Sequence, residues 1–406
     1  MRKFLLLTPV VVLLCSSSVL QAQNYPIPTE QQQRGIDTDN ARHFGDSPAD
    51  GGPMATDLSP AMNPAAIDKA TRKVADWQLE RAQPYFDRIW TWSVLYSGFM
   101  AASESTGDPK YRDAMKAMSE KFNWELRSKL PNADDQSVGQ TYLELYLLAG
   151  NGADVKMITP LREGMDSVIG LSTLNPRDQR IPWWWCDALF MAPPAWARMY
   201  AATGDHKYID YLNAQWQRTY DLLYNQQEHL YARDASYKTK VDAAGKIMFW
   251  SRGEGWVMGG LVRTLEYLPK DDPQRAFYVT QLREMSARLA SLQGSDGLWH
   301  SNLMDAEHFP LPEMSGSALM VYGMAWGVNE GLLDAKVYKP VIEKAWRGML
   351  QHIYADGRLG CIQQTGAEPT PYLPTASYNY GVGGYLLAAS EVKRMVSQHP
   401  KMKKKK

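Results

Sequence analysis

The residues best suited to chemistry are carboxylates set beside tryptophans. Trp183-Trp184-Trp185 run into Cys186 and Asp187, and apolar residues then recur at three- and four-residue steps through Leu189, Phe190, Trp196 and Tyr200. Asp187 therefore stands at the N-terminal mouth of a buried helix, next to a wall of indoles. Sugar rings stack on aromatic faces, and apolar surroundings raise a carboxyl pKa into the range of a general acid. A helix N-cap within a core-packing tryptophan cluster accounts for the same residues. Asp134 and Asp135 precede a second helix, which begins near Gly139. Two carboxyls in one cleft can divide into a protonated and an ionised member, as acid–base work on a sugar requires. Capping and complementing the helix dipole is the plainer role for them.

A cationic group comes next. In Phe249-Trp250-Ser251-Arg252-Gly253-Glu254-Gly255-Trp256, the planar fork of Arg252 matches a carboxylate, and Trp250 and Trp256 flank it. That composition suits a pocket for a sugar acid; an arginine stacked on tryptophan for packing is the alternative. Arg233, in Leu230-Tyr231-Ala232-Arg233-Asp234, sits either in another loop at the mouth or in a solvated loop with its own ion pair. His300, after Asp296-Gly297-Leu298-Trp299, is either a ligand contact or a structural histidine. No CxxC, HExxH or histidine cluster with ligand spacing occurs, so no metal and no cofactor is expected.

The elements that must position these groups are helical. The chain has 406 residues, 45% apolar and 22% charged, with zero formal charge, so no whole-molecule attraction to nucleic acid or an anionic membrane is indicated. Aromatic usage favours rings with a polar edge, 14 Trp and 22 Tyr against 9 Phe, which suits a carbohydrate cleft and also suits helix packing. Residues 1–22 read as a signal peptide: Arg2 and Lys3, an apolar run from Phe4 to Leu14, and a cleavage site at Leu20-Gln21-Ala22. The mature chain is therefore expected to be exported, into a periplasm. A lipoprotein anchored through Cys15 is disfavoured by the bulky Leu14 before it. No later segment reads as a membrane span. Cys186 and Cys361 remain in the mature chain, and their spacing does not fix whether they pair.

Residues 23–64 read as a polar arm, 65–398 as the helical domain and 399–406 as a basic tail. Within the domain, Thr106-Gly107-Asp108 ends one helix and starts another, and the same punctuation returns at Thr203-Gly204-Asp205. Further stops fall at Gly150, Pro269 and Gly331. This gives about six helical hairpins, and few strand signals, so the fold class is all-α and the expected architecture an (α/α)6 barrel. The segments Trp90 to Trp92, Trp183 to Trp185 and Trp250 to Trp256 begin where inner helices would, at one concave mouth. Nothing in the sequence fixes the oligomeric state.

Five motifs in order resemble glycoside hydrolase family 105, the unsaturated rhamnogalacturonyl hydrolases, and the related unsaturated glucuronyl hydrolases of family 88. They are WTWSVLYSGFMAASESTGD from Trp90, DDQSVGQTYLELY from Asp134, WWWCDALFMAPPAWARMYAATGD from Trp183, SRGEGWVMGGLVRTLEYLP from Ser251, and DGLWHSNLMD with EMSGSALMVYGMAWGVNEGLLD from Asp296. The resemblance implies an (α/α)6 barrel without a metal. It also implies a substrate left by a polysaccharide lyase, with a C4=C5 double bond in its terminal uronic acid. An aspartic acid protonates C4, water adds at C5, and the hemiketal opens to release the rest of the oligosaccharide. Asp187 matches the family's acid/base aspartate and Asp134 the second active-site aspartate, with Asp135 beside it. Arg252 and Trp256 match its R-G-x-G-W motif, and Trp92, Trp185 and Trp250 match its aromatic pocket walls.

Three positions depart from the family pattern. Pro176 stands where many members have a histidine, Tyr231 to Asp234 replaces another histidine loop, and Glu254 replaces the asparagine of R-G-N-G-W. Arg233 is the candidate to replace a lost contact. The leading substrate reading is Δ4,5-unsaturated galacturonyl-rhamnose from pectin. The alternative is an unsaturated glucuronyl end from ulvan, gellan or glycosaminoglycan, because the double bond erases the C4 difference between the two acids. A silent oligosaccharide-binding toroid and a sugar epimerase are the readings from other classes.

Overall fold

A computed structural model describes residues 44–127, 132–171 and 180–397. The signal peptide, most of the arm, Pro176 and the basic tail lie outside the described residues. Fourteen α-helices are numbered here in chain order among the described residues. They are α1 (Pro64–Ala82), α2 (Trp90–Thr106), α3 (Pro109–Lys121), α4 (Ala133–Gln136), α5 (Gly139–Ala149), α6 (Thr159–Ile169) and α7 (Ala188–Met191). After them come α8 (Pro193–Thr203), α9 (Lys207–Leu223), α10 (Ser251–Leu265), α11 (Arg275–Ser291), α12 (Met314–Asn329), α13 (Ala335–Leu350) and α14 (Asn379–Ser397).

Burial divides the helices into two rings. Every residue of α10 is buried, and so are nearly all of α12 and most of α14, as expected of helices enclosed by neighbours. By contrast, α1, α9 and α13 bury one face only. The inner ring runs α2, α5, α8, α10, α12 and α14, each packed on the next, and α14 returns to α2. The chain is thus an (α/α)6 toroid, as expected. Its inner helices approach so closely that side chains are excluded at some crossings. A Cβ on Gly383 of α14 would lie 2.3 Å from the carbonyl oxygen of Val94 in α2. Buried charge also ties the ring. Arg263 donates from Nε to Gln140 Oε1 at 2.7 Å, and Arg198 donates from Nε to Glu144 Oε1 at 3.0 Å.

The Thr-Gly-Asp repeat is a corner with two parts. Gly107 (φ 70°) and Gly204 (φ 72°) adopt the left-handed conformation that ends α2 and α8. Asp108 and Asp205 then accept from the amides of Lys110 and Lys207, starting α3 and the turn into α9. The described end of the arm is pinned to the body: Gly45–Asp46 pairs antiparallel with Ser377–Tyr378, just before α14. Cys186 and Cys361 are both free and buried.

Candidate active site

The N-terminal ends of the inner helices converge on one mouth. Trp90, at the start of α2, stacks on Tyr380 of α14 (5.3 Å between ring centroids) and meets Trp256 of α10 edge-on at 6.0 Å. Aligned helix dipoles put partial positive charge at this end, favourable to an anionic ligand. At the opposite end, a cavity of about 490 Å³ is lined by Glu266, Glu330, Glu391, Lys393 and Arg394. Its charges pair with one another, as in Arg394–Glu330 at 2.9 Å.

Asp187 occupies the N-cap position of α7, yet its side chain makes no capping hydrogen bond. The residue is thus free of the plain role that its position suggests. Its side chain is 14% exposed, deep enough to lose much of its hydration and open enough to meet a ligand. Burial raises its pKa, and the Arg233 guanidinium and the Cys186 thiol act against that rise. Asp134 lies in α4, whose N-cap is Asn132 rather than either aspartate. Burial pushes the Asp134 carboxyl up to about 7, helped by the charges of Asp187 and Asp135 and opposed by Arg233. Both carboxyls are thus shifted towards their protonated forms, the condition for acid catalysis by a carboxyl.

A backbone pairing brings Arg233 to this acid. Trp185 bridges to Asp234, and the Cys186 amide donates to the Arg233 carbonyl at 2.9 Å. Arg233 then lies with Nε 3.9 Å from Asp187 Oδ2 and with one terminal nitrogen 2.7 Å from Asp234. Its Nε is buried without a hydrogen-bond partner among the described residues. The guanidinium also lies over the Trp184 ring at 5.5 Å, and that of Arg180 lies over the same ring at 4.6 Å. Trp184 is only partly buried, and it packs against Trp185, which is 9% exposed.

Several residues sit elsewhere than the sequence suggests. Trp92 is 1% exposed and packs against Phe86 and Tyr96, which places it in the core; two positions earlier, the partly buried Trp90 stands at the mouth. Trp256 is fully buried between Phe190 and Trp90, so it supports the wall from behind. Trp250 is also buried, donating from its indole to Gln363 Oε1 at 2.9 Å. The Arg252 fork is engaged within the protein. Its two terminal nitrogens donate to the carbonyls of Gln363 and Gln364 at 2.7 and 2.8 Å, and Glu313 lies 3.7 Å away. Arg252 therefore fastens the 363–364 segment across the mouth. His300 has both ring nitrogens occupied, by the Phe309 carbonyl at 2.7 Å and by Asp296 at 3.3 Å. Tyr380 and Gln363 escape sequence reasoning because no local motif marks them; only their long-range partners do. Among the described residues no cluster of side chains could hold a metal ion, and no helix is long and apolar enough to cross a membrane.

Comparison with known proteins agrees with this arrangement. The model of Glycosyl Hydrolase Family 88 matches residues 61–396. An unsaturated 3S-rhamnoglycuronyl hydrolase of Formosa agariphila is 34% identical over 351 residues, covering 82% of this chain and 92% of that one. An enzyme of the same description from Alteromonas sp. is 32% identical over 369 residues, covering 83% and 89%. The solved structure of a family 88 glycosyl hydrolase from Bacteroides vulgatus superposes with a TM-score of 0.77 at 30% identity, covering 82% of this chain and 99% of that one. An acid pair at the mouth of an (α/α)6 toroid, in a chain matched along nearly its whole helical domain, makes the assignment: this protein belongs to Glycosyl Hydrolase Family 88 and is a glycoside hydrolase.

Proposed function

We propose that this enzyme, which removes a terminal unsaturated uronic acid from oligosaccharides, does so by hydrating the C4=C5 vinyl ether with Asp187 as acid and base. The proton moves from Asp187 to C4, and positive charge develops over C5 and the ring oxygen. Water adds at C5 and returns its second proton to Asp187. The hemiketal opens to a ketone at C5, which leaves C1 as a hemiacetal; this collapses to an aldehyde, and the remaining sugar departs with the glycosidic oxygen as its hydroxyl. The observation that carries the reading is the pair of raised carboxyls, with the Asp187 side chain released from capping. Arg233 stabilises the Asp187 carboxylate that forms as the proton leaves. Asp134, whose carboxyl is raised to about 7, keeps a second proton in the site.

The preferred substrate of this reading carries 3-sulfated rhamnose next to the unsaturated acid, because the Formosa and Alteromonas relatives are each described as an unsaturated 3S-rhamnoglycuronyl hydrolase and we read 3S as that sulfation. This reading prefers the ulvan alternative to the pectin disaccharide expected from the motifs. Two guanidiniums stacked on Trp184, beside the acid, suit an anionic neighbouring sugar. Residues 1–22 would direct export, so that the enzyme meets lyase products outside the cytoplasm.

The test follows the ultraviolet absorbance of the vinyl ether on sulfated ulvan, desulfated ulvan and rhamnogalacturonan disaccharides. Loss of absorbance with the wild type but not with Asp187→Asn is expected, fastest on the sulfated disaccharide. Equal decay with Asp187→Asn would overturn the role of Asp187, and a faster rate on rhamnogalacturonan would restore the pectin reading.

A further inference from the structure

Glu254 has no part in the chemistry above, yet it is the most unusual carboxyl near the site. It lies in the first turn of α10, fully buried. Both of its oxygens face one donor, the Tyr231 amide, at 2.9 and 3.1 Å. Among the described residues it has no ion-pair partner. Arg252, two positions earlier, is turned away to the carbonyls of Gln363 and Gln364. The titratable groups within its electrostatic reach are the Cys186 thiol and the Tyr224 and Tyr231 hydroxyls; the two hydroxyls donate to Glu284 and to Gln281, and burial pushes all three groups up, out of the neutral range. An ionised carboxyl there would carry a buried, uncompensated charge, among the costliest arrangements in a protein interior. One amide donor does not offset that cost, so burial drives the group towards its protonated form.

The position of its single partner gives this carboxyl a purpose. Tyr231 lies two residues before Arg233, whose carbonyl accepts from Cys186 and whose guanidinium faces Asp187. From the other side, a Cβ on Gly253 would lie 3.1 Å from Cys186 Sγ, so the first turn of α10 rests directly against the acid segment. The 231–234 segment is held between that turn and the Trp185–Cys186 segment.

We infer that Glu254 is a positioning residue: its carboxyl grips the Tyr231 amide and thereby sets Arg233 against Asp187. This rests on the reading of Asp187 as the acid. As a neutral acid, Glu254 offers an acceptor to Tyr231 without adding a negative charge behind Asp187.

The test compares Glu254→Gln, which mimics the neutral acid, with Glu254→Leu, which keeps the bulk and loses the acceptor. Glu254→Gln is expected to retain kcat within a few-fold and to keep the wild-type pH profile. Glu254→Leu should lose kcat by roughly 10- to 100-fold, the cost of a small misplacement in an active site. Its alkaline limb should move to higher pH as Arg233 withdraws. Two readouts do not depend on turnover. Hydrogen exchange at Tyr231 to Arg233 should quicken in Glu254→Leu only. The infrared difference between wild type and Glu254→Gln at neutral pH should show an un-ionised carboxyl in the wild type. Absence of that band, equal damage by both substitutions, or native exchange and pH profile in Glu254→Leu would each overturn the inference. If Asp187→Asn stayed active, exchange and infrared would still report on Glu254, so the two failures are separable.

Discussion

Arg233 and Asp187 face each other across 3.9 Å, on segments joined by the hydrogen bond from the Cys186 amide to the Arg233 carbonyl. The cation favours the ionised acid, so its removal raises the pKa of Asp187. Arg233→Ala should therefore carry the alkaline limb of kcat/KM upward by about one pH unit, the lower end of what such a neighbour does. KM should rise as well, because a buried donor facing the cleft is lost. Initial rates across the pH range check both, and an unmoved limb would refute the electrostatic role.

Asp134 should be costly to stability when ionised. In the unfolded chain it titrates near its ordinary value, and in the folded chain at about 7. Between those values the folded state binds more protons, so its contribution falls as pH rises through this window and levels off above about 7. Asp134→Asn should thus match the wild type in thermal stability near pH 4 and exceed it by a few degrees at pH 8. It should also lose most activity, as groups that act in a site often do when stability is gained. Melting curves at the two pH values decide it.

Trp90 and Trp92 should separate binding from folding. Trp92→Ala opens the core beside Phe86 and Tyr96 and should cost about 3–5 kcal/mol in chemical denaturation. Trp90→Ala should cost much less and instead weaken saturation by substrate, measured as a higher KM.

Arg252→Ala should behave as a structural lesion. It frees the carbonyls of Gln363 and Gln364 and leaves Glu313 without its cation, a loss of about 3–5 kcal/mol for breaking a buried charged contact. Denaturation midpoints and proteolysis of the 363–366 segment measure it. An undiminished midpoint with loss of affinity alone would instead assign Arg252 to the substrate carboxylate.

The ring itself was legible because its corners are local: Gly107 and Asp108, or Gly204 and Asp205, carry a stop and a start within a few residues. Asp187 was legible because a lone carboxylate after three tryptophans contradicts its apolar surroundings. What periodicity could not show is which of two nearby tryptophans turns inward, since Trp90 and Trp92 both begin α2. Nor could it show that the Arg252 fork is engaged more than a hundred residues away, by carbonyls that have no signature in side-chain sequence. The two readings of His300 stayed open for the same reason: its partner Phe309 contributes a backbone oxygen.

The contact of α14 with α2 has a consequence for how the chain comes to be folded. Residues 379–397 supply the last wall of the inner ring and rest on residues 90–106, almost the full length of the domain away. A growing chain cannot shut the circle until nearly all of it has been synthesised, and until then α2 lacks its neighbour and presents an apolar flank. Closure is therefore a late step that joins sequence-distant partners, the kind that slows folding and leaves intermediates open to aggregation. A chain cut short before α14 would keep most of its residues and yet remain an open arc.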